Sequence, residues 1–181
     1  GLPVLHSRDL VNWTIVGQAL ARLPSPGFDR PQHGKGVWAP SIRHHGGRLW
    51  MYWGDPDAGL YATSAERAEG PWEPAHLVKP ALGLIDACPL WDDTGRMYVV
   101  HAWAKSRAGF NGVLTVRRLA DDGLSVVGEG VNVFEGGTRH DRIAKRPSDK
   151  TSQHVPGADL GEAMDPGRPH REKSRREERG K

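Results

Sequence analysis

The residues best able to do chemistry gather in 84–100, LIDACPLWDDTGRMYVV. Asp86 stands there between Ile85 and Ala87, ahead of a run expected to be buried. An ionised carboxylate in that setting needs a partner or a purpose, which makes Asp86 the leading candidate for a functional acid; capping a turn is the plainer alternative. Two residues on, Cys88 is the single cysteine, which excludes an intrachain disulfide and a cysteine-based zinc site. Inside a strand it reads as a buried, inert thiol. Asp92 and Asp93 read as turn formers, and His44-His45 as a solvated turn. Asp55-Pro56-Asp57 lacks the ligand count and spacing of a calcium loop.

The elements that must position these groups are strands. Cys88 to Trp91 and Arg96 to Val100, joined by Asp-Asp-Thr-Gly, make a hairpin. Sliding the sequence by 48 residues lays 47–52, GRLWMY, over 95–100, GRMYVV; Ser41-Ile42 then falls on Pro89-Leu90 and Trp38 on Asp86. A second echo links 5–13, LHSRDLVNW, to 61–64 and the Gly70-Pro71-Trp72 that follows. Each is a strand ending in Ser, a loop, a Trp and another apolar strand. A four-stranded unit recurring every 40 to 50 or so residues is the sequence form of a β-propeller blade.

In chain order, strands are expected at 3–7, 13–20, 41–53 (a hairpin), 59–64, 113–119, 124–127 and 131–134. The stretch 22–36 holds three Pro and three Gly and reads as a loop at the rim of a pocket, delivering the chain to Val37-Trp38-Ala39-Pro40. No helix is expected before residue 136.

The chain changes character near Gly136. All thirteen aromatic residues precede it, the last being Phe134. Residues 137–181 hold 12 Lys plus Arg against 8 Asp plus Glu, whereas 1–136 hold 13 against 14. The basic balance therefore belongs to the tail, which is expected to be disordered, and the near-neutral first part argues against a nucleic-acid footprint. No run of 18 apolar residues occurs, so no membrane-spanning segment is expected.

Four motifs in order carry a family resemblance: 1–13, GLPVLHSRDLVNW; 37–42, VWAPSI; Gly70-Pro71-Trp72; and Leu84-Ile85-Asp86 ahead of Trp91-Asp92-Asp93-Thr94-Gly95. Together they resemble glycoside hydrolase family 43, the β-xylosidases, α-L-arabinofuranosidases and arabinanases. The resemblance implies an all-β, five-bladed propeller, of which residues 1–136 would supply about two and a half blades. It implies inverting hydrolysis of glycosidic bonds in xylose- or arabinose-containing polysaccharides. An Asp base activates water, a Glu acid protonates the leaving oxygen, and a further Asp tunes and orients that acid. Asp86 matches this third carboxylate. Trp38 is expected to pack on a pyranose face, with a plain core role as its alternative, and His33, Trp103 and Arg107 are candidates for the pocket wall. The implied partner is an oligo- or polysaccharide, with neither nucleic acid nor membrane. No redox cofactor is implied, and the resemblance leaves room for a structural calcium ion in the intact parent.

The departures from the pattern carry expectations too. The family's base lies upstream of the segment that Gly1 opens, and its acid lies in a Glu-Gly-Pro that this sequence lacks; Glu135-Gly136 comes too early and has no Pro. The expectation is a truncated chain whose reading frame is lost near Gly137, catalytically inactive and poorly soluble by itself. A non-catalytic carbohydrate-binding propeller is the alternative. A WD or kelch scaffold ranks low, because Trp91-Asp92 has no counterpart at the repeat offset.

Overall fold

A computed structural model describes residues 1–24, 27–30 and 32–136, which lie in one compact unit; the expected disordered tail at 137–181 falls outside the described residues. Among the described residues, short runs rich in β-branched and aromatic residues, broken by Gly and Asp turns, fold as ten antiparallel strands. These are β1 (Leu2–His6), β2 (Thr14–Leu20), β3 (Trp38–His45), β4 (Arg48–Asp55), β5 (Gly59–Ala65), β6 (His76–Pro80), β7 (Leu84–Trp91), β8 (Met97–Trp103), β9 (Val113–Leu119) and β10 (Val126–Glu135). One short helix, α1 (Lys105–Ala108), follows β8.

The strands form a two-stranded sheet, β1-β2, and two four-stranded sheets in the orders β3-β4-β5-β6 and β7-β8-β9-β10. Each four-stranded sheet is a meander of neighbouring strands in sequence order, the plan of a propeller blade. The described residues thus build half of one blade and two whole ones, with β3 and β7 as the inner edges. Pro40 and Pro89 sit in those edge strands, where a missing N–H costs no ladder bond on the open side.

Burial follows blade position. β5 is buried at every residue and β4 over its last five, because the middle blade is covered on both faces. In β8 burial alternates, one face inward and one outward. Tyr52, Leu60 and Ala62 pack against Leu84, Ala87, Met97 and Val99 to fill the space between the two whole blades. Val4 and Ala19 meet Met51, and Leu20 meets Trp53 and Tyr61, on the opposite face of the middle blade. The blades approach so closely that a Cβ on Gly54 would lie 2.6 Å from Ile85 Cα. The Tyr52 hydroxyl donates to Gly123 O, tying the middle blade to the β9–β10 turn.

Several expectations need correcting. The stretch 105–112 holds α1, a single turn without a buried residue or a side-chain cap, so it leaves no apolar periodicity to read. The segments 124–127 and 131–134 belong to one strand, β10, interrupted by irregular pairing between Val127 and Val131. Cys88 is half-buried rather than sealed in the core, and accepts a hydrogen bond from Arg43 Nη2 at 3.0 Å. His45 is exposed yet stacks on Trp91, with ring centroids 4.3 Å apart.

Candidate functional site

The repeat is real, but its register on the inner strands differs from the sequence alignment by one residue. In β3, Trp38 pairs with Gly54 and Ser41 with Tyr52, so one extra residue is inserted between them. In β7, Ile85 pairs with Ala102 and Cys88 with Val100, the same insertion at the same height. Both are β-bulges, and the first residue of each bulge is left-handed: Ala39 at φ 40° and Asp86 at φ 57°. Ala39, not Trp38, is therefore the counterpart of Asp86, and Trp38 is the counterpart of Ile85.

The bulge also overturns the buried setting expected for Asp86. Strand alternation would carry its side chain toward the core, but a left-handed residue breaks the alternation, and Asp86 is exposed. Aspartate tolerates this conformation better than most residues other than glycine. Ala87, which follows, is fully buried.

β3 and β7 lie side by side and run the same way, since Ser41 Oγ donates to Ala87 O (2.6 Å) and Arg43 reaches Cys88. Their starting ends, carrying Trp38 and Asp86, thus share one end of the molecule. The antiparallel meander returns the β4–β5 turn and the chain after β8 to that same end.

A compact cluster of groups forms there around Arg107 of α1. Its Nε donates to Asp57 Oδ1 at 3.0 Å and its Nη2 to Asp57 Oδ2 at 3.4 Å. Nη2 also donates to Gly34 O at 3.1 Å, and Nη1 to Ser106 Oγ at 2.9 Å. The guanidinium carbon stands 5.7 Å from the Trp38 ring centroid, within cation–π range. The hydrogen bond from Arg107 holds the Asp57 carboxyl below its ordinary pKa and raises that of Arg107 in turn. Asp57 was read in the sequence only as part of a failed calcium loop; the signal that finds it is the hairpin register, which brings the β4–β5 turn back beside Trp38.

The remaining sequence candidates separate. His33 is exposed on the segment preceding β3. Trp103 is turned into its own blade: Nε1–H donates to Thr115 Oγ1 (2.9 Å), Thr115 donates to Asn132 Oδ1 (2.8 Å), and the ring packs against His101 and Phe110. Its polar atom is thus engaged within the sheet. Asp92 is the expected turn former, its Oδ1 accepting from Thr94 N, Thr94 Oγ1 and Arg96 N. Among the described residues, no group of three or more His, Cys, Asp or Glu side chains is placed to hold a metal ion.

Comparison with known proteins shows the family of the chain. A protein of Xylanibacter ruminicola, classed by name with the beta-xylosidases, is 41% identical over 137 residues, covering 75% of this chain and 26% of its own. A non-reducing end alpha-L-arabinofuranosidase of Bacteroides ovatus is 34% identical over 110 residues, covering 54% of this chain and 19% of its own. The solved Bacteroides ovatus Xyloglucan PUL GH43B superposes with a TM-score of 0.60 at 26% identity, over 74% of this chain and 26% of that one. The chain spans about a quarter of the length of the first curated relative it matches. The family model for glycosyl hydrolases family 43 matches residues 1–151, most of the sequence, and the chain belongs to that family.

Proposed function

We propose that this chain contributes one wall of the sugar-binding end of a glycoside hydrolase that cleaves O-glycosidic bonds in xylose- or arabinose-containing saccharides, with inversion at the anomeric carbon. The observation that carries the reading is the pair of matched bulges. They set a carboxylate, Asp86, and the residue next to an aromatic ring, Ala39 beside Trp38, on neighbouring inner strands at one end of the blades. In this reading Trp38 receives a sugar face. Asp86 is the carboxylate that lies beside the general acid and orients it toward the leaving oxygen. The names of the relatives from Xylanibacter ruminicola and Bacteroides ovatus support the pentose class.

The test is calorimetric titration of the 181-residue chain with xylobiose and with arabinobiose. Saturable binding of at least one is expected, weakened about tenfold by Trp38→Ala through loss of the stacking face. Absence of binding to either sugar, or an unchanged affinity in the Trp38 variant, would overturn the reading.

A further inference from the structure

Sequence reading made Arg107 a candidate for the pocket wall, a residue that touches sugar. Its surroundings give it different work. Four N–H groups of the guanidinium are already directed at protein acceptors: two at the Asp57 carboxylate, one at Gly34 O and one at Ser106 Oγ, with Nη2 supplying two of the four. An arginine presents five such groups in a fixed fork, so little remains for a ligand.

Two of these partners, Asp57 and Gly34, come from segments far from Arg107 in sequence. Asp57 lies in the β4–β5 turn of the middle blade, Gly34 in the segment leading into β3, and Arg107 itself on α1 of the next blade. The guanidinium face lies over the Trp38 ring, four residues after Gly34. The turn holding Asp57 is itself fixed: Asp57 N–H donates to Asp55 Oδ1 at 3.0 Å, and Gly83 N–H donates to Pro56 O at 2.7 Å. α1 is tied to the same place through Ala104 N–H, which donates to Gly83 O at 2.8 Å. The bidentate pair therefore joins two anchored points, and the backbone of 32–37 hangs from it through Gly34 O.

We propose that Arg107 is a positioning residue: locked by Asp57, it clamps the backbone at Gly34 and fixes the orientation of the Trp38 ring at the inter-blade end of the molecule. The value of this clamp for sugar binding rests on the function proposed above, but the clamp itself is a property of the chain alone. Arg107 acts through Trp38 and does not itself touch the saccharide.

The experiment uses the 181-residue chain labelled with ¹⁵N, in which the seven tryptophans each give one indole N–H resonance and Trp38→Phe assigns that of Trp38. Arg107→Gln and Asp57→Asn are each expected to shift the Trp38 resonance and leave most of the other six in place. Both should speed tryptic cleavage after Lys35 about tenfold, as a local opening equilibrium would. Arg107→Lys keeps the charge but loses the fork, and is expected to fall between wild type and Arg107→Gln. An unmoved Trp38 resonance in both Arg107→Gln and Asp57→Asn overturns the clamp. Collapse of all seven resonances in both overturns it as well, because a clamp confined to one end leaves the sheets standing. Adding xylobiose or arabinobiose to the wild-type sample separates the two proposals: if neither sugar moves the Trp38 resonance while Arg107→Gln does, the clamp stands and the sugar reading falls.

Discussion

At the scale of single residues, the most consequential group outside the candidate site is His101, fully buried in β8. Its Nε2 accepts from Arg117 Nε at 3.0 Å, and Nδ1 lies 3.1 Å from Ala102 O. A guanidinium can only donate, so Nε2 must be bare and the proton must sit on Nδ1, which fixes a neutral ring. Burial is the main cause that lowers the His101 pKa to about 4, with the positive charges of Arg117 and Lys79 adding to it. An unfolded chain takes up the proton near pH 6.5, whereas the folded one resists until about 4. The group's contribution is therefore fully present above pH 6.5 and is lost progressively as pH falls toward 4. Between pH 7 and pH 5 that loss is about 2 kcal/mol. His101→Gln, which keeps an acceptor for Arg117 without a titrating ring, is expected to show a shallower loss. Urea denaturation of both proteins at the two pH values measures this, and equal losses would remove His101 as the cause.

At the scale of elements, the two bulges concentrate strain where the candidate site lies. A non-glycine residue held left-handed costs on the order of 1 kcal/mol, and β3 and β7 each carry one at the same height. Ala39→Gly removes that cost without touching a side chain in the cluster, and is expected to raise stability by about 1 kcal/mol, less the extra chain entropy of glycine. Asp86→Gly should stabilise by less, because aspartate tolerates the left-handed region better than alanine does. A rise in the denaturation midpoint with an unchanged slope checks the first; a fall would mean that the left-handed geometry is not strained. The same bulges mark the limit of what could be read from sequence. The strand pattern was legible because its signals are local: β9 fell on 113–119 as expected, and the repeated Gly-Arg at the head of β4 and β8 disclosed the blade. The bulge was not legible, because an inserted residue leaves composition unchanged and alters only which face each later residue takes. That is why Asp86 was expected to be enclosed, and why Trp38 was aligned with it. The Arg107–Asp57 pair escaped for another reason: it spans fifty residues and depends on the hairpin register that brings both to one end.

At the scale of the whole molecule, among the described residues the middle blade has a neighbour on each face and the outer sheets do not. Pairing across β7–β10 puts Leu90, Leu114, Val127, Val131 and Phe134 on one face, opposite to the one carrying Val99 and His101. All five are 39% to 62% exposed. Leu5 and Ile15, paired across β1–β2, are exposed at the other end of the series. Alternation explains why such faces exist: a strand built to pack on both sides places apolar residues at odd and even positions alike, whichever side is covered. This apolar face, crossed by the exposed Arg118 and bordered by the open edge of β10, favours association between copies over contact with water. The chain is therefore expected to self-associate at tens of micromolar. Val131→Lys with Phe134→Lys should reduce this with little loss of stability, since both positions lie on the exposed edge strand. Sedimentation velocity across a dilution series reads the outcome directly. A concentration-independent monomer in the wild type would show that the exposed face is too small or too interrupted to bind another copy. Association that persists undiminished in the double variant would move the contact elsewhere, with the β1–β2 face around Leu5 and Ile15 as the next surface to charge.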